Sequence, residues 1–268
     1  RPSLKRIRVE GMYLDEQELF DLRRSLETIR DIVRFLQKSD DDEEEGTSPY
    51  PCLKRLAGDI TVFPQLIAKI NGILSPYGKI KDNASTELAR IRRELASTMG
   101  SISRSLNSIL RNAQSEGVVD KDVTPTMRDG RLVIPVAPAL KRKIRGIVHD
   151  ESASGKTVFI EPAEVVEANN RIRELEGDER REIIRILTGF SNQLRPSIPD
   201  VLLSYEFLAE IDFIRAKALF AEQISGLKPA LENKQLLDWT MAVHPLLQLS
   251  LAKHGKKVVP LDIELNEK

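Results

Sequence analysis

Apolar positions at helical spacing define the first two helices of the sequence. The first set recurs every three or four residues and comprises Leu19, Leu22, Leu26, Ile29, Val33 and Leu36. Asp15 precedes it, where an N-capping residue is expected. A second, shorter set comprises Ile60, Phe63, Ile67, Ile70 and Leu74. Pro64 falls in the first turn of this predicted helix, where proline is tolerated.

Two longer patterns predict helices that are unusually long for a globular protein. The first runs from Asp82 to about Ser115 and repeats at heptad-like intervals through Leu88, Ile91, Leu95, Met99, Ile102, Leu106, Ile109 and Ala113. At 1.5 Å per residue it would be about 48 Å long. The second opens at Glu161-Pro162 and continues through Val165, Ala168, Ile172, Leu175, Ile183, Ile186, Phe190 and Leu194. Its polar gap at 176–182 indicates a section with only one neighbouring helix.

The stretch between these two helices, residues 123–161, has a β pattern. It contains short apolar runs, an Asp129-Gly130 pair suited to a tight hairpin turn, and a Ser/Gly-rich turn before Thr157. Two long helices that bracket such an insertion are most economically paired antiparallel. The predicted fold is therefore mainly α with a small antiparallel β insertion at the end of a helical arm.

The C-terminal part of the sequence changes character twice. Pro196 and Pro199 mark a corner, and the following helix, about 201–219, is apolar on nearly all sides, which predicts a central position in a bundle. Beyond Gly226 and Pro229, short strands are predicted around Trp239, at 242–247 and at 257–263. Because the chain starts without Met and stops in such a strand, we expect it to be a fragment of a longer protein.

Overall composition excludes several classes of protein and site. The 41 basic residues balance 41 acidic ones, and the single Cys52 excludes an internal disulfide and a multi-cysteine metal site. The acidic run 40–45 is predicted to be a solvated loop, because its spacing does not match a calcium loop. No apolar run is long enough for a membrane span and no signal peptide is recognisable, so a cytoplasmic protein without membrane contact is expected.

Ser154-Gly155-Lys156-Thr157 resembles the end of a phosphate-binding loop but does not satisfy the motif. The first glycine of that motif would fall at Asp150, and the residues after Thr157 predict a strand where the motif requires a helix. A hairpin turn with Lys156 exposed is the better interpretation. His149, His244 and His254 are too scattered in the sequence to suggest a metal site.

Local charge distinguishes the β stretch from the rest of the neutral chain. Between Val123 and Ile160, seven basic residues face three acidic ones, a net charge of +4. The basic residues are Arg128, Arg131, Lys141, Arg142, Lys143, Arg145 and Lys156. Such a surface can bind phosphates without reading bases. The alternative is a solvated sheet edge on which lysines discourage strand pairing. Few aromatic residues accompany the cations, which argues against binding of single strands by base stacking.

Several of these segments resemble the MutS family. The two long helices around a β tip, the sequence 208–212 before an alanine-rich helix, and His244-Pro245 are similar to its core, lever and clamp regions. Residues 128–136, 146–155 and 159–162 resemble the clamp of the second bacterial branch of the family. That branch lacks the mismatch-reading N-terminal domain and is associated with suppression of recombination. The resemblance covers essentially the whole chain.

The resemblance implies a division of the chain into six segments. Residues 1–81 and 196–230 would form the helical core, 82–121 and 162–195 the two levers, 122–161 the clamp, and 231–268 the start of an ATPase domain. In the full-length protein it implies a homodimer that uses ATP and Mg to close around branched or recombination DNA, with a C-terminal nuclease domain in some members. The seven tip cations would contact DNA phosphates.

For this chain alone, the expectation is a DNA-binding region without enzymatic activity or cofactor. The phosphate loop and nuclease residues of the family are not recognisable in its sequence. An alternative of another class stays open: a coiled-coil interaction arm whose tip docks on a protein or on ribosomal RNA, since some members of this branch are linked to ribosome rescue.

Overall fold

The computed structural model describes residues 1–37, 49–233 and 236–266. The predicted acidic loop at 40–45 lies outside these residues. The chain divides into two units, the first formed by residues 1–37 and Thr61–Leu202 and the second by the other described residues. The helices before the arm are α1 (Pro2–Arg6), α2 (Glu16–Gln37), α3 (Pro51–Leu56) and α4 (Pro64–Ile73). The predictions of α2 and α4 are confirmed.

Helix α2 begins with a reciprocal cap at Asp15. The Asp15 carboxylate accepts from the Glu18 backbone N–H (2.8 Å), and the Glu18 carboxylate accepts from the Asp15 N–H (3.0 Å). This arrangement satisfies two backbone donors that the first turn leaves without helical partners. All six apolar residues of the predicted stripe on α2 are buried. The predicted apolar face of α2 is therefore the face that packs in the protein core.

Two long antiparallel helices, α5 (Thr86–Ser115) and α6 (Val166–Leu194), form the arm of the first unit. Their antiparallel direction follows from polar contacts that run in opposite sequence order along the two helices. Arg171 Nη2 donates to Glu94 Oε1 (2.6 Å), Arg92 Nε to Glu179 Oε1 (2.7 Å), and Ser85 Oγ to Glu182 Oε1 (2.6 Å). These last two contacts show that polar residues in the 176–182 gap face α5.

A four-stranded antiparallel sheet, here called the tip sheet, lies between the two arm helices in sequence. Its strands are β1 (Thr126–Arg128), β2 (Arg131–Val136), β3 (Gly146–Glu151) and β4 (Val158–Pro162), in the spatial order β1-β2-β4-β3. Arg128 pairs with Arg131 across the predicted turn, where Asp129 and Gly130 both have positive φ (45° and 73°). Successive positive φ values are the signature of a tight hairpin turn.

One face of the tip sheet packs on α5. Leu106, which is fully buried, lies in one apolar cluster with Ile134 and Val136 of β2 and with Val158 and Ile160 of β4. Strands β2 and β3 both pair with β4, so residues 137–145 must cross over to connect them. This crossover contains a 3₁₀ helix, Pro138–Lys143, and is anchored to the same apolar cluster by Ile144.

The start of α6 corrects one prediction. Glu161 and Pro162 end strand β4 rather than opening the helix, and a 3₁₀ turn, Ala163–Val165, separates them from α6. Glu161 pairs with Ile147 of β3 in the sheet register. Extended backbone at Glu161 is also favoured because it precedes a proline.

The second unit contains most of α7 (Ile198–Gln223), followed by β5 (Leu236–Ala242), α8 (Pro245–Ala252) and β6 (Leu261–Asn266). Strands β5 and β6 pair antiparallel, which confirms the predicted strand at Trp239. Residues 245–247 were predicted as strand but open α8, with Pro245 in its first turn. The predicted central position of this helix in a bundle is wrong for the second half of α7, where Phe213 is 63% exposed.

Candidate nucleic-acid interface

The crossover between β2 and β3 presents four cations to solvent. Pro138 opens its 3₁₀ helix and Ile144 is buried against the apolar cluster, so the segment is held at both ends. The side chains between and just beyond these anchors are exposed: Lys141, Arg142, Lys143 and Arg145. In the part of the chain that the structure describes, none of the four forms an ion pair. The crossover is therefore a fixed, uncompensated patch of positive charge.

Two further predicted cations lie on the hairpins of the tip sheet. Lys156 is exposed in the turn between β3 and β4, where Gly155 has a φ of 67° and the Ser152 N–H donates to the Thr157 carbonyl (2.8 Å). Strand β4 follows this turn, so the residues 154–157 do not fit a phosphate loop for ATP and Mg. Arg128 is exposed and its Cζ lies 4.2 Å from the centre of the Phe159 ring.

Arg131, the seventh predicted cation, turns inward. Its side chain is 14% exposed, and Nη1 donates to Oε1 of the fully buried Glu161 (2.7 Å) while Nη2 donates to Asn170 Oδ1 (2.7 Å). Because a buried guanidinium needs its partner carboxylate, we assign Arg131 to the support of the sheet.

Glu161 is the centre of a buried polar network that joins β2, β3, β4 and α6. Asn169 Nδ2 donates to Glu161 Oε1 (2.8 Å) and to the Leu132 carbonyl (3.3 Å), and His149 Nε2 contacts Glu161 Oε2. Burial disfavours the charged carboxylate, but the hydrogen bonds from Asn169, His149 and Arg131 outweigh it and lower the pKa of Glu161 below its ordinary value. An ionised glutamate therefore fixes the tip sheet to α6.

The known proteins that are similar to this chain share one name. No family model matches the chain. Over 256 residues, 96% of its length, the chain is 37% identical to the endonuclease MutS2 of Pelotomaculum thermopropionicum. It is 34% identical over 267 residues to the endonuclease MutS2 of a Geobacillus species, and 33% identical over 265 residues to that of Halalkalibacterium halodurans.

The chain belongs to the MutS2 family. It spans 31–32% of the length of these curated relatives and aligns over 96–100% of its own residues. The resemblance of the chain to the second bacterial branch of the MutS family is thus confirmed. Residues 128–136, 146–155 and 159–162, which carried the resemblance in the sequence, include strands β2 and β3, the β1–β2 turn and most of β4, so they lie mainly in the tip sheet.

Sequence reasoning missed the supporting residues of this MutS2 tip. Glu161, Asn169, Asn170 and His149 are distant in sequence from Arg131, and only the fold brings them together. Arg131 bonds Glu161 and Asn170, while Asn169 and His149 contact Glu161. Among the residues that the structure describes, no three His, Cys, Asp or Glu side chains converge as a metal site requires. In the same residues, no helix is long and apolar enough to cross a membrane.

Proposed function

We propose that this chain is the lever and clamp region of a MutS2 protein, and that its tip sheet binds the phosphate backbone of DNA. The observation that carries this proposal is the crossover, where Lys141, Arg142, Lys143 and Arg145 are exposed without acidic partners. Lys156 and Arg128 extend the positive surface to the two hairpins. Cations that are exposed on a fixed backbone can neutralise phosphates, and this interaction is independent of base sequence.

The arginines of the helical arm provide a comparison for the unpaired cations of the crossover. Several arginines of the arm pair with carboxylates: Arg90 pairs with Glu87 and Glu94, and Arg171 pairs with Glu94. A cation that already has a carboxylate partner releases few counterions on meeting a phosphate. The four exposed cations of the crossover differ from these paired arginines, because none of them has a carboxylate partner among the described residues.

For the longer protein we propose a homodimer in which ATP and Mg, bound outside the tip, drive the levers and close the clamps on branched or recombination DNA. The contribution of this chain is mechanical and not catalytic. The antiparallel arm transmits the motion, and the Glu161 network makes the tip sheet follow α6. Structured RNA presents the same phosphate chemistry, so the ribosomal alternative is tested directly below.

The test is the salt dependence of binding to a DNA duplex, a four-way DNA junction and a structured RNA of equal length, measured by fluorescence anisotropy. If Lys141, Arg142, Lys143, Arg145 and Lys156 each neutralise one phosphate, log affinity for duplex should fall with log salt at a slope near −4.5 (about −0.9 per contact). Tighter binding to the junction supports the recombination role. Tighter binding to the RNA than to either DNA would contradict it.

Neutralising the crossover should lower both affinity and slope. In the variant Lys141→Gln, Arg142→Gln, Lys143→Gln we expect the magnitude of the slope on duplex to fall by about 2.7, since three contacts are lost. The matched control is Lys253→Gln, Lys256→Gln, Lys257→Gln, three exposed lysines of the second unit with the same total charge. Equal slopes for the two variants would show that the tip does not hold the DNA.

A further inference from the structure

The distal part of α5 has an unusual surface composition. Between Glu94 and Glu116 the sequence contains no acidic residue, although 31% of the chain is charged. The polar positions in this stretch are filled by serine, threonine, asparagine and glutamine and by two arginines, Arg104 and Arg111. Partner α6, in contrast, has acidic residues from Glu167 to Glu182. A solvated helix face with no acid over this length is not required by packing.

These polar residues form one continuous face. At 100° per residue, Arg104 and Arg111 point within about 20° of each other and lie opposite the buried Ile102, Leu106 and Ala113. The side chains on and around this line are all exposed: Ser97, Ser101, Arg104, Ser105, Asn107, Ser108, Arg111, Asn112 and Ser115. We call this set the serine–arginine face. From Ser97 to Ser115 it rises about 27 Å along the helix.

The two arginines of the serine–arginine face are uncompensated. Neither Arg104 nor Arg111 forms an ion pair with any residue that the structure describes. On the proximal half of the same helix, Arg90 and Arg92 both pair with carboxylates. Arg93, also before Glu94, is exposed and forms no ion pair with a described residue, so the difference along α5 is that the two arginines nearer to the tip both lack a carboxylate partner and two of the three before Glu94 have one.

The serine–arginine face is continuous with the basic crossover. A groove of about 320 Å³ separates α5 from the crossover, and Asn112 lines it together with Lys143 and Arg145. A strand of phosphates that lies against Lys143 and Arg145 can therefore continue onto α5 through a groove that two acidic residues, Glu116 and Glu164, also line.

We propose that the serine–arginine face is a second DNA contact surface, which binds the phosphate backbone of a duplex below the tip. Arg104 and Arg111 supply charge, and the short hydroxyl and amide side chains donate hydrogen bonds to phosphate oxygens at close approach. The absence of acids removes repulsion along the whole face. The proposal rests on the DNA-binding function proposed above, and it extends the contact from the clamp to the first lever.

The test compares salt slopes for duplex binding by the full chain. For Arg104→Gln, Arg111→Gln we expect the magnitude of the slope to fall by about 1.8, and for Arg104→Lys, Arg111→Lys to remain near the wild-type value. The matched control is Arg180→Gln, Arg215→Gln, which removes two exposed arginines from α6 and α7. Circular dichroism melts should be unchanged in all three, because the substituted side chains are exposed.

The outcomes separate this proposal from the one on which it rests. If the crossover variant loses slope and Arg104→Gln, Arg111→Gln behaves like its control, the serine–arginine face is not a contact and the tip alone binds DNA. If neither variant differs from its control, or if the wild-type chain does not bind duplex at low salt, both proposals are wrong. Loss of slope in both variants supports both.

Discussion

Replacing Glu161 by glutamine is expected to destabilise the tip sheet by about 3 kcal/mol at neutral pH. The substitution preserves shape but removes the buried charge that Arg131, at 14% exposure, uses as its partner. Breaking a buried pair from one side leaves an uncompensated charge and usually costs about 3–5 kcal/mol. Hydrogen exchange of the amides in β2 and β4, followed by mass spectrometry, measures this loss locally and is independent of the second unit.

The same substitution has a defined pH dependence. The folded-state pKa of Glu161 is lowered, so its contribution to stability is complete above the ordinary pKa of a glutamate and is lost as the pH falls through the lowered value. The stability difference between wild type and Glu161→Gln should therefore be large at pH 7 and shrink as the pH falls below the ordinary pKa of a glutamate. Thermal unfolding by circular dichroism over a series of decreasing pH values measures it.

Glu151→Gln is the matched control, because Glu151 is an exposed glutamate on β3 of the same sheet. It should change stability by no more than about 0.5 kcal/mol. If both variants exchange at the wild-type rate in β2 and β4, the network around Glu161 does not hold the tip sheet to α6. The proposed transmission of motion from α6 to the tip sheet would then have no structural connection to support it.

The helical arm could be predicted from the sequence because its signal is local and repeated. The apolar period of α5 continues over eight positions, and the only glycine within it, Gly100, lies in a helix that tolerates it. The hairpin at Asp129-Gly130 was equally accessible, since few residue pairs accept two successive positive φ values. Such features depend on neighbours in sequence, and for this reason the structure confirms them.

The candidate site was only partly predictable, because charge alone does not tell which cations are free. Arg131 and Arg128 flank the same turn, yet Arg131 is bound to Glu161 and Arg128 is exposed. The difference depends on a carboxylate thirty residues away in sequence that strand pairing brings close. The prediction of a strand at residues 245–247, which open α8, was wrong for another reason: short apolar runs do not distinguish strand from helix.

Gly146 lies where β3 leaves no room for a side chain against β4, and its replacement by alanine is expected to have the second large effect. Gly146 pairs with Pro162, and an added Cβ would collide with the Glu161 carbonyl oxygen and lie 2.9 Å from Pro162 Cα. Both are backbone atoms that cannot rotate away. We expect a loss at or above the upper end of the roughly 1–3 kcal/mol that overpacking costs.

The consequence of Gly146→Ala should extend from stability to DNA binding. Displacing the first residue of β3 also displaces Arg145, which precedes it, and loosens the strand that carries Glu161. Faster amide exchange in β3 and β4 and a lower duplex affinity should therefore appear together.

Gly189→Ala provides the control, because Gly189 lies within α6 with nothing within 4 Å of an added Cβ. Alanine there should be neutral or stabilise by up to about 1 kcal/mol. If Gly146→Ala weakens the sheet and leaves duplex affinity at the wild-type value, the crossover does not need the sheet for its position, and the tip cations act as a flexible charged segment.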